Sequence, residues 1–103
     1  MSQVTLYPDW KEMVVFSAEG PKPQLIMETE HFKVVVVGFL AGQKMALHPA
    51  PSGVYHFIEG TGWMSVNDEQ LPVGPGAIVI VPPDAKRGFE ATTELSFLVV
   101  LEK

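Results

Sequence analysis

The chain has 103 residues, 47% of them hydrophobic and 18% charged, which is typical of a folded domain and not of a disordered chain. Its formal net charge of −5 excludes the basic surface that a nucleic-acid-binding protein needs. It contains no cysteine, which excludes disulfides, thiolate nucleophiles and zinc sites built on cysteine. We therefore predict one globular domain over residues 1–103.

The location predicted from the sequence is the cytoplasm. Residues 1–4 lack the basic flank and the apolar core of a signal peptide. The longest apolar run, residues 34–41, is interrupted by Gly38 and is much shorter than a membrane span. The absence of cysteine also fits a reducing compartment. Neither a membrane nor a nucleic acid is expected as a partner.

The first half of the chain is predicted to form short strands separated by Pro and Gly. These strands cover residues 4–7, 12–16, 24–28, 32–40 and 43–48, with a turn or one helical turn at residues 8–11. Four consecutive valines at residues 34–37 disfavour a helix, because β-branched side chains lose rotamers there. The apolar run around them indicates a strand covered on both faces, and Gly38 indicates a bulge or a close backbone approach.

The second half has the same organisation. Predicted strands cover residues 54–59, 63–67, 69–73, 77–81 and 95–101, and residues 86–91 are either irregular or a strand. Asn67 and Asp68 are typical turn residues, so the strands on either side of them are expected to form a hairpin. The predicted fold class is therefore all-β, a jelly-roll sandwich or barrel.

Two of the three histidines, His48 and His56, lie where a Pro- and Gly-broken loop runs into an apolar strand. Alternate residues of a strand face opposite sides. The predicted inner face consists of Gly53, Tyr55, Phe57 and Glu59, and the outer face of Val54, His56 and Ile58. His56 is therefore expected to point away from the interior, packed between sheets or at a subunit contact. His48 is either a hydrogen-bonded structural residue or part of a site, and His31 is expected on an exposed loop.

The residues before Gly60 resemble the first motif of the cupin superfamily, which contains a His-x-His pair, a Glu and a Gly. With Gly60 as the final glycine, the Glu position falls on Gly53. The two His positions fall on Ala46 and His48. The spacing matches the family, and only one of the three metal-ligating positions in this motif, His48, retains its residue.

The residues after Gly76 resemble the second cupin motif, which contains a Gly, a Pro-x-Gly, a His and an Asn. Pro82 stands at the expected distance from Gly76. The motif's second Gly, its His and its Asn are replaced by Asp84, Arg87 and Ala91. The two motifs cover about residues 42–62 and 76–91, and the resemblance implies a double-stranded β-helix.

The resemblance also implies where a metal would lie. In the family, three His and one Glu inside the barrel hold the usual metal. The corresponding residues here are Ala46, His48, Gly53 and Arg87. Of these only His48 can donate a lone pair, and Arg87 is a permanent cation that would repel a metal. We therefore predict no metal and no other cofactor.

Arg87 has three possible roles at this point. It can be a surface cation beside Lys86, or it can point inwards. An inward guanidinium needs a partner, which is either an internal carboxylate, from Glu59 or Glu90, or the anionic group of a bound ligand.

The function favoured by these residues is binding of a small ligand, possibly anionic, without metal and without metal-dependent catalysis. Arg87 and His48 would contact the ligand, and Tyr55 and Phe57 would form the walls.

Two alternatives stay open. One is a metal-dependent cupin enzyme (an oxygenase, decarboxylase or isomerase) that uses a non-standard ligand set such as His48, His56 and Glu59. The other is a non-catalytic assembly or regulatory module. Cupin-like domains of this size commonly pair, so a homodimer is expected, with residues 4–7 as a strand that could be exchanged between subunits.

Overall fold

The computed structural model describes residues 3–103; Met1 and Ser2, the first residues of the predicted domain, lie outside the described residues. A single 3-10 turn, Trp10–Glu12, begins at Asp9, whose carboxylate accepts the backbone N–H of Lys11. Nine strands follow: β1 (Gln24–Glu28), β2 (Phe32–Phe39), β3 (Lys44–Pro49), β4 (Gly53–Glu59), β5 (Gly62–Val66), β6 (Glu69–Val73), β7 (Ile78–Val81), β8 (Lys86–Ala91) and β9 (Leu95–Glu102).

The strands form two antiparallel sheets. One has the order β1-β2-β9-β4-β7, and the other has the order β3-β8-β5-β6. The predicted all-β class is therefore confirmed, and its form is a sandwich, because within residues 3–103 the two sheets do not close into one barrel. None of the helical structure in that part of the chain is long and apolar enough to cross a membrane.

The core lies between the sheets and is built from alternate residues of the strands. In β2, for example, Val35, Val37 and Phe39 belong to it. An aromatic cluster occupies its centre, where Phe89 and Phe97 stack with ring centroids 4.7 Å apart. Burial of these side chains is the main stabilising contribution that holds the two sheets face to face.

The two predicted N-terminal strands are wrong. Residues 4–7 form no strand, and the side chains of Val4 and Leu6 are 93% and 79% exposed. Residues 12–16 contribute only one isolated bridge, between Val15 and Lys22. Both sides of β2 are already paired, with β1 and β9, and within residues 3–103 neither of these segments joins a sheet, whatever its intrinsic propensity.

Gly38 shows where the segment before β1 lies instead. A Cβ atom at Gly38 would stand 2.7 Å from Cγ1 of Val14 and 2.8 Å from the carbonyl oxygen of Val15. The segment therefore crosses the outer face of β2 in close contact, which is one of the two predicted reasons for a glycine in this strand. This contact explains why both faces of β2 are covered.

The other predicted strands lie within one residue of the observed bounds, and residues 86–91 form strand β8. The predicted hairpin is β5–β6, where Asn67 adopts a positive φ of 52°. Asn tolerates this conformation better than most residues, which is why the turn signal was reliable.

Candidate functional site

A cavity of about 180 Å³ lies between the sheets, at the end where β2 begins and β9 ends. Most of its wall is apolar: Pro23, Val35, Val37, Met45, Phe89, Phe97, Val99 and Leu101. Three further side chains, Lys33, His48 and Tyr55, supply polar groups. Among the described residues, no acidic side chain lines this cavity.

The strand register orders the cavity by depth. Lys33 pairs with Leu101 near the start of β2, Val35 with Val99 one level deeper, and Val37 with Phe97 below them. The lysine is therefore at the mouth and the aromatic wall is at the bottom. Lys33 was missed as a site residue, although the alternation that places Val35 and Val37 inwards places Lys33 on the same face.

Arg87 is fully buried, at 0% exposure, on strand β8 opposite His48. Its guanidinium donates to the carbonyl oxygens of Ala50 at 3.0 Å and Ala85 at 3.1 Å, and more weakly to that of Pro82 at 3.3 Å. These carbonyls belong to the β3–β4 and β7–β8 connections, so the arginine joins these two loops. The prediction of a surface cation is wrong.

The prediction of an internal carboxylate partner for Arg87 is also wrong. Glu59 pairs with Lys11 at 3.1 Å, and Glu90 is 3.8 Å from Lys44. Over residues 3–103, Arg87 forms no salt bridge. A buried cation without a countercharge is held here by neutral oxygens alone, which leaves its charge uncompensated.

Tyr55 connects this cation to the cavity. Its hydroxyl oxygen accepts a hydrogen bond of 3.1 Å from Nη1 of Arg87, and its ring lines the cavity wall. Burial raises the pKa of the Tyr55 phenol above its usual value, and the hydrogen bond and charge of Arg87 oppose that rise without cancelling it. The phenol is therefore neutral at physiological pH, and its own hydrogen remains available for donation to a ligand oxygen.

The raised pKa of Tyr55 gives a testable pH dependence. Tyr7→Phe leaves Tyr55 as the single tyrosine, and its ionisation, followed by absorbance at 295 nm, is expected to have a midpoint above pH 10. Since the folded-state pKa is the raised one, the contribution of Tyr55 to stability is complete below the unfolded-state pKa and is lost as pH rises through the folded value. A midpoint below pH 10 would show that the Arg87 contact outweighs burial.

His48 lies across from Arg87 and is half-buried at the cavity wall. Its Nδ1 atom is 3.0 Å from the carbonyl oxygen of Ala46. A carbonyl can only accept, so Nδ1 carries a hydrogen and Nε2 is the atom left for another partner. Nε2 can accept from a ligand when the ring is neutral and donate to it when the ring is protonated.

The remaining predicted residues lie outside the cavity. Phe57 is fully buried in the core, with its ring 5.1 Å from that of Phe97, and does not line the cavity wall. His56 is exposed on the outer face of β4, as strand alternation predicts, so it is not packed between the sheets. Glu59 is exposed because the register shifts between Phe57 and Glu59, which the simple alternation did not include.

The four family metal positions do not form a metal site. Ala46 is exposed, because a bulge between Met45 and His48 turns it outwards. The space beside Gly53 is occupied by Leu101, whose Cδ2 would be 2.7 Å from an added Cβ. With a buried guanidinium at the last position, these residues do not fit a metal ion.

The non-standard ligand set of His48, His56 and Glu59 is not brought together either. His48 faces the cavity from β3, whereas the other two are exposed on β4. Within the described part of the chain, no three His, Cys, Asp or Glu side chains are placed to share an ion.

No protein-family model and no curated protein matches the sequence. The fold is similar to that of an RmlC-like cupin protein from Desulfovibrio desulfuricans, with a TM-score of 0.80, 26% identity, and coverage of 99% of this chain and 96% of that one. A conserved double-stranded β-helix protein from Klebsiella pneumoniae gives a TM-score of 0.88 at 22% identity, with 97% and 90% covered. Salicylate 1,2-dioxygenase from Pseudoaminobacter salicylatoxidans gives 0.76 at 17% identity, with 82% and 27% covered. The chain therefore has the fold of the cupin superfamily, the double-stranded β-helix.

Proposed function

We propose that this protein binds a small organic anion in the cavity between its sheets, without a metal ion and without metal-dependent catalysis. The observation that carries the proposal is the buried charge of Arg87, which has no countercharge among residues 3–103. Arg87 stands behind the cavity wall and donates to the hydroxyl of Tyr55, which lines the cavity. Lys33 at the mouth adds a second cation. The proposal includes a cytoplasmic location, in keeping with the absence of cysteine.

The electrostatic balance of the chain supports this reading. The whole molecule has a net charge of −5, yet the described residues that line the cavity include one lysine and no acidic residue. Lys33 makes no salt bridge within residues 3–103. Charge interactions strengthen where water is displaced, so an anion that enters the cavity would be attracted by both Lys33 and Arg87.

The substitution Lys33→Met tests the site directly. It should weaken binding of a small monocarboxylate by about threefold to tenfold, because one partly buried charge interaction is lost. Acetate, hexanoate and benzoate would be titrated by calorimetry, and the tightest binder would then be used for the variants. Methionine keeps most of the lysine's length and apolar stem, so the packing at the mouth is retained.

The matched control is Lys44→Met. Lys44 is an exposed lysine on β3 whose Nζ atom lies 3.8 Å from Oε2 of Glu90, and the substitution removes its charge. The affinity of this variant should equal that of the unaltered protein. Equal weakening by the two variants would mean that only the overall charge matters. Failure of all three anions to bind at millimolar concentration would exclude an anion site.

We also propose that the protein is a homodimer, in line with the expected pairing of such domains. The outer face of the five-stranded sheet carries three neighbouring apolar side chains, Val54, Ile78 and Ile80, which are 42%, 62% and 76% exposed. Val54 pairs with both Ile80 and Val100, so the patch is continuous across three strands. The same face of a second copy is the self-complementary surface that a twofold dimer uses.

Ile80→Lys should convert this dimer to a monomer, since it places two like charges close together across the twofold axis. Light scattering after size exclusion would give the mass. Leu47→Lys is the control, because Leu47 is 49% exposed but lies on the other sheet, on β3. If the unaltered protein has the mass of one chain at micromolar concentration, the proposed dimer is excluded, and with it any exchange of residues 4–7.

A further inference from the structure

We infer that the anion is a carboxylate on a single aromatic ring, of the size of benzoate, with its ring at the bottom of the cavity and its carboxylate at the mouth. This inference rests on the proposed function, because it names the class of ligand for the same cavity. It is carried by three properties of the cavity, namely the separation of polar and apolar wall, the volume, and the aromatic content of the deep end.

The polar groups are gathered at one end. Lys33 begins the inward series of β2. The Tyr55 ring leans in the same direction, since its Cε1 atom would be 3.2 Å from a Cβ added at Gly53, two residues nearer the start of β4. Its hydroxyl meets Arg87, whose other partners include Ala50 in the loop that precedes β4. A ligand must therefore carry its charge at its outer end.

Among residues 3–103, no polar side chain lines the deep end. Val37 and Phe97 face each other there, and Phe89 approaches from the opposite sheet. A ligand group at this depth loses its contacts with water and is surrounded by apolar side chains. A polar group there would be left without hydrogen-bond partners, so the group must be apolar. Small carboxylates such as acetate would leave this part of the cavity unfilled.

The volume limits the apolar part to one ring. A dry cavity of roughly 150 Å³ in another protein accepts benzene, so a cavity of about 180 Å³ matches a six-membered ring with a carboxylate that extends to the mouth. The pocket thus matches a ligand with about nine non-hydrogen atoms.

Three of the wall residues are aromatic, and they favour an aromatic ring over a saturated one. The Tyr55 and Phe89 centroids are 5.6 Å apart, and the Tyr55 and Phe97 centroids are 5.8 Å apart with the planes tilted by 54°. All three rings line the cavity, so a ring that enters it meets aromatic surface, which favours aromatic pairs over saturated contacts.

The test compares five compounds on the full-length protein: benzoate, cyclohexanecarboxylate, hexanoate, acetate and the neutral benzamide. Benzoate is expected to bind about a hundredfold more tightly than acetate, from burial of the ring. It should bind about threefold more tightly than cyclohexanecarboxylate, from aromatic contacts, and at least about tenfold more tightly than benzamide, from the charge. Affinities would come from calorimetry.

Methyl resonances locate the ring independently of affinity. Bound benzoate should shift the methyl signals of Val37 and Val99 upfield through its ring current and leave those of Ile80, on the outer face of the sheet, unchanged. Hexanoate should move the same inner methyl signals without the upfield displacement. Shifts at Ile80 and none at Val37 or Val99 would place the ligand elsewhere and overturn the inference.

The outcomes separate this inference from the proposed function. If hexanoate binds as tightly as benzoate, the inference of an aromatic ligand is wrong, and the proposal of an anion-binding cavity is unaffected. If benzamide equals benzoate, carboxylate recognition is wrong and the anion site falls with it. If none of the five compounds binds at millimolar concentration, both are overturned.

Discussion

Arg87→Met is expected to lower the free energy of unfolding by about 3 kcal/mol, because it removes the donor that satisfies buried oxygens in two loops. The guanidinium donates to the carbonyls of Ala50, Pro82 and Ala85 and to the hydroxyl of Tyr55. Charge-assisted bonds of this kind contribute about 1.5–3 kcal/mol each, which offsets the desolvation of an unpaired cation. The free energy would be measured by urea denaturation.

The matched control is Lys86→Met, which removes an exposed cation one residue away on the same strand. Its stability should stay within about 0.5 kcal/mol of the unaltered protein. A more stable Arg87→Met variant would mean that desolvation of the cation outweighs its hydrogen bonds. That result would strengthen the case that Arg87 is retained for a ligand and not for the fold.

Arg87→Lys distinguishes charge from geometry. Lysine keeps the cation but has three donors on one nitrogen, so it cannot reach both loops and the Tyr55 hydroxyl in the same way. We expect a loss of about 1–2 kcal/mol, between those of the methionine variant and the control. Anion affinity should be partly retained in this variant, since a positive charge remains beside the cavity.

Gly60→Ala is expected to be the most destabilising single-methyl addition in the two motifs, by about 4 kcal/mol. Gly60 has a positive φ of 84°, a conformation that residues with a Cβ avoid. A Cβ there would overlap the carbonyl oxygen of Glu94 and stand 2.8 Å from the Cα of Leu95. Both obstacles are backbone, so the start of β9 would have to move.

Gly42→Ala is the control for Gly60→Ala. Gly42 has nearly the same φ, 87°, but no atom lies within 4 Å of its added Cβ. The free energy of unfolding of Gly42→Ala is expected to fall by about 1–2 kcal/mol, which is the cost of placing a residue with a Cβ at a positive φ without any steric contact. The difference between the two variants, both measured by urea denaturation, isolates the steric contact with Glu94. If both variants lose the same free energy of unfolding, the backbone between β8 and β9 can move away from the added methyl group at little cost.

The motif spacing that identified the fold has this same physical basis. Gly60 is required where the end of β4 passes close to the backbone before β9, and such a contact depends on the fold rather than on any ligand. The glycine can therefore persist while metal positions change to Gly53 and Arg87. This is why the fold could be predicted from motif spacing even though Ala46, Gly53 and Arg87 do not match the family's metal ligands.

The sequence by itself determined strands β1 to β7, strand β9 and the β5–β6 hairpin, because these depend on local preferences and turn residues, and it left residues 86–91 open between a strand and irregular structure. Alternation along β4 also placed Tyr55 inwards and His56 outwards. Strand formation, the turn and the side-chain alternation each depend on residues that are close to one another in the sequence.

Only the tertiary structure decided the site itself. The bulge that turns Ala46 outwards, and the register shift that exposes Glu59, arise from pairing with distant strands. Arg87 is satisfied by loop carbonyls, which carry no side-chain signature that a sequence could display. Residues 4–7 likewise form no strand, because a strand also needs a pairing partner, and within residues 3–103 no segment pairs with them.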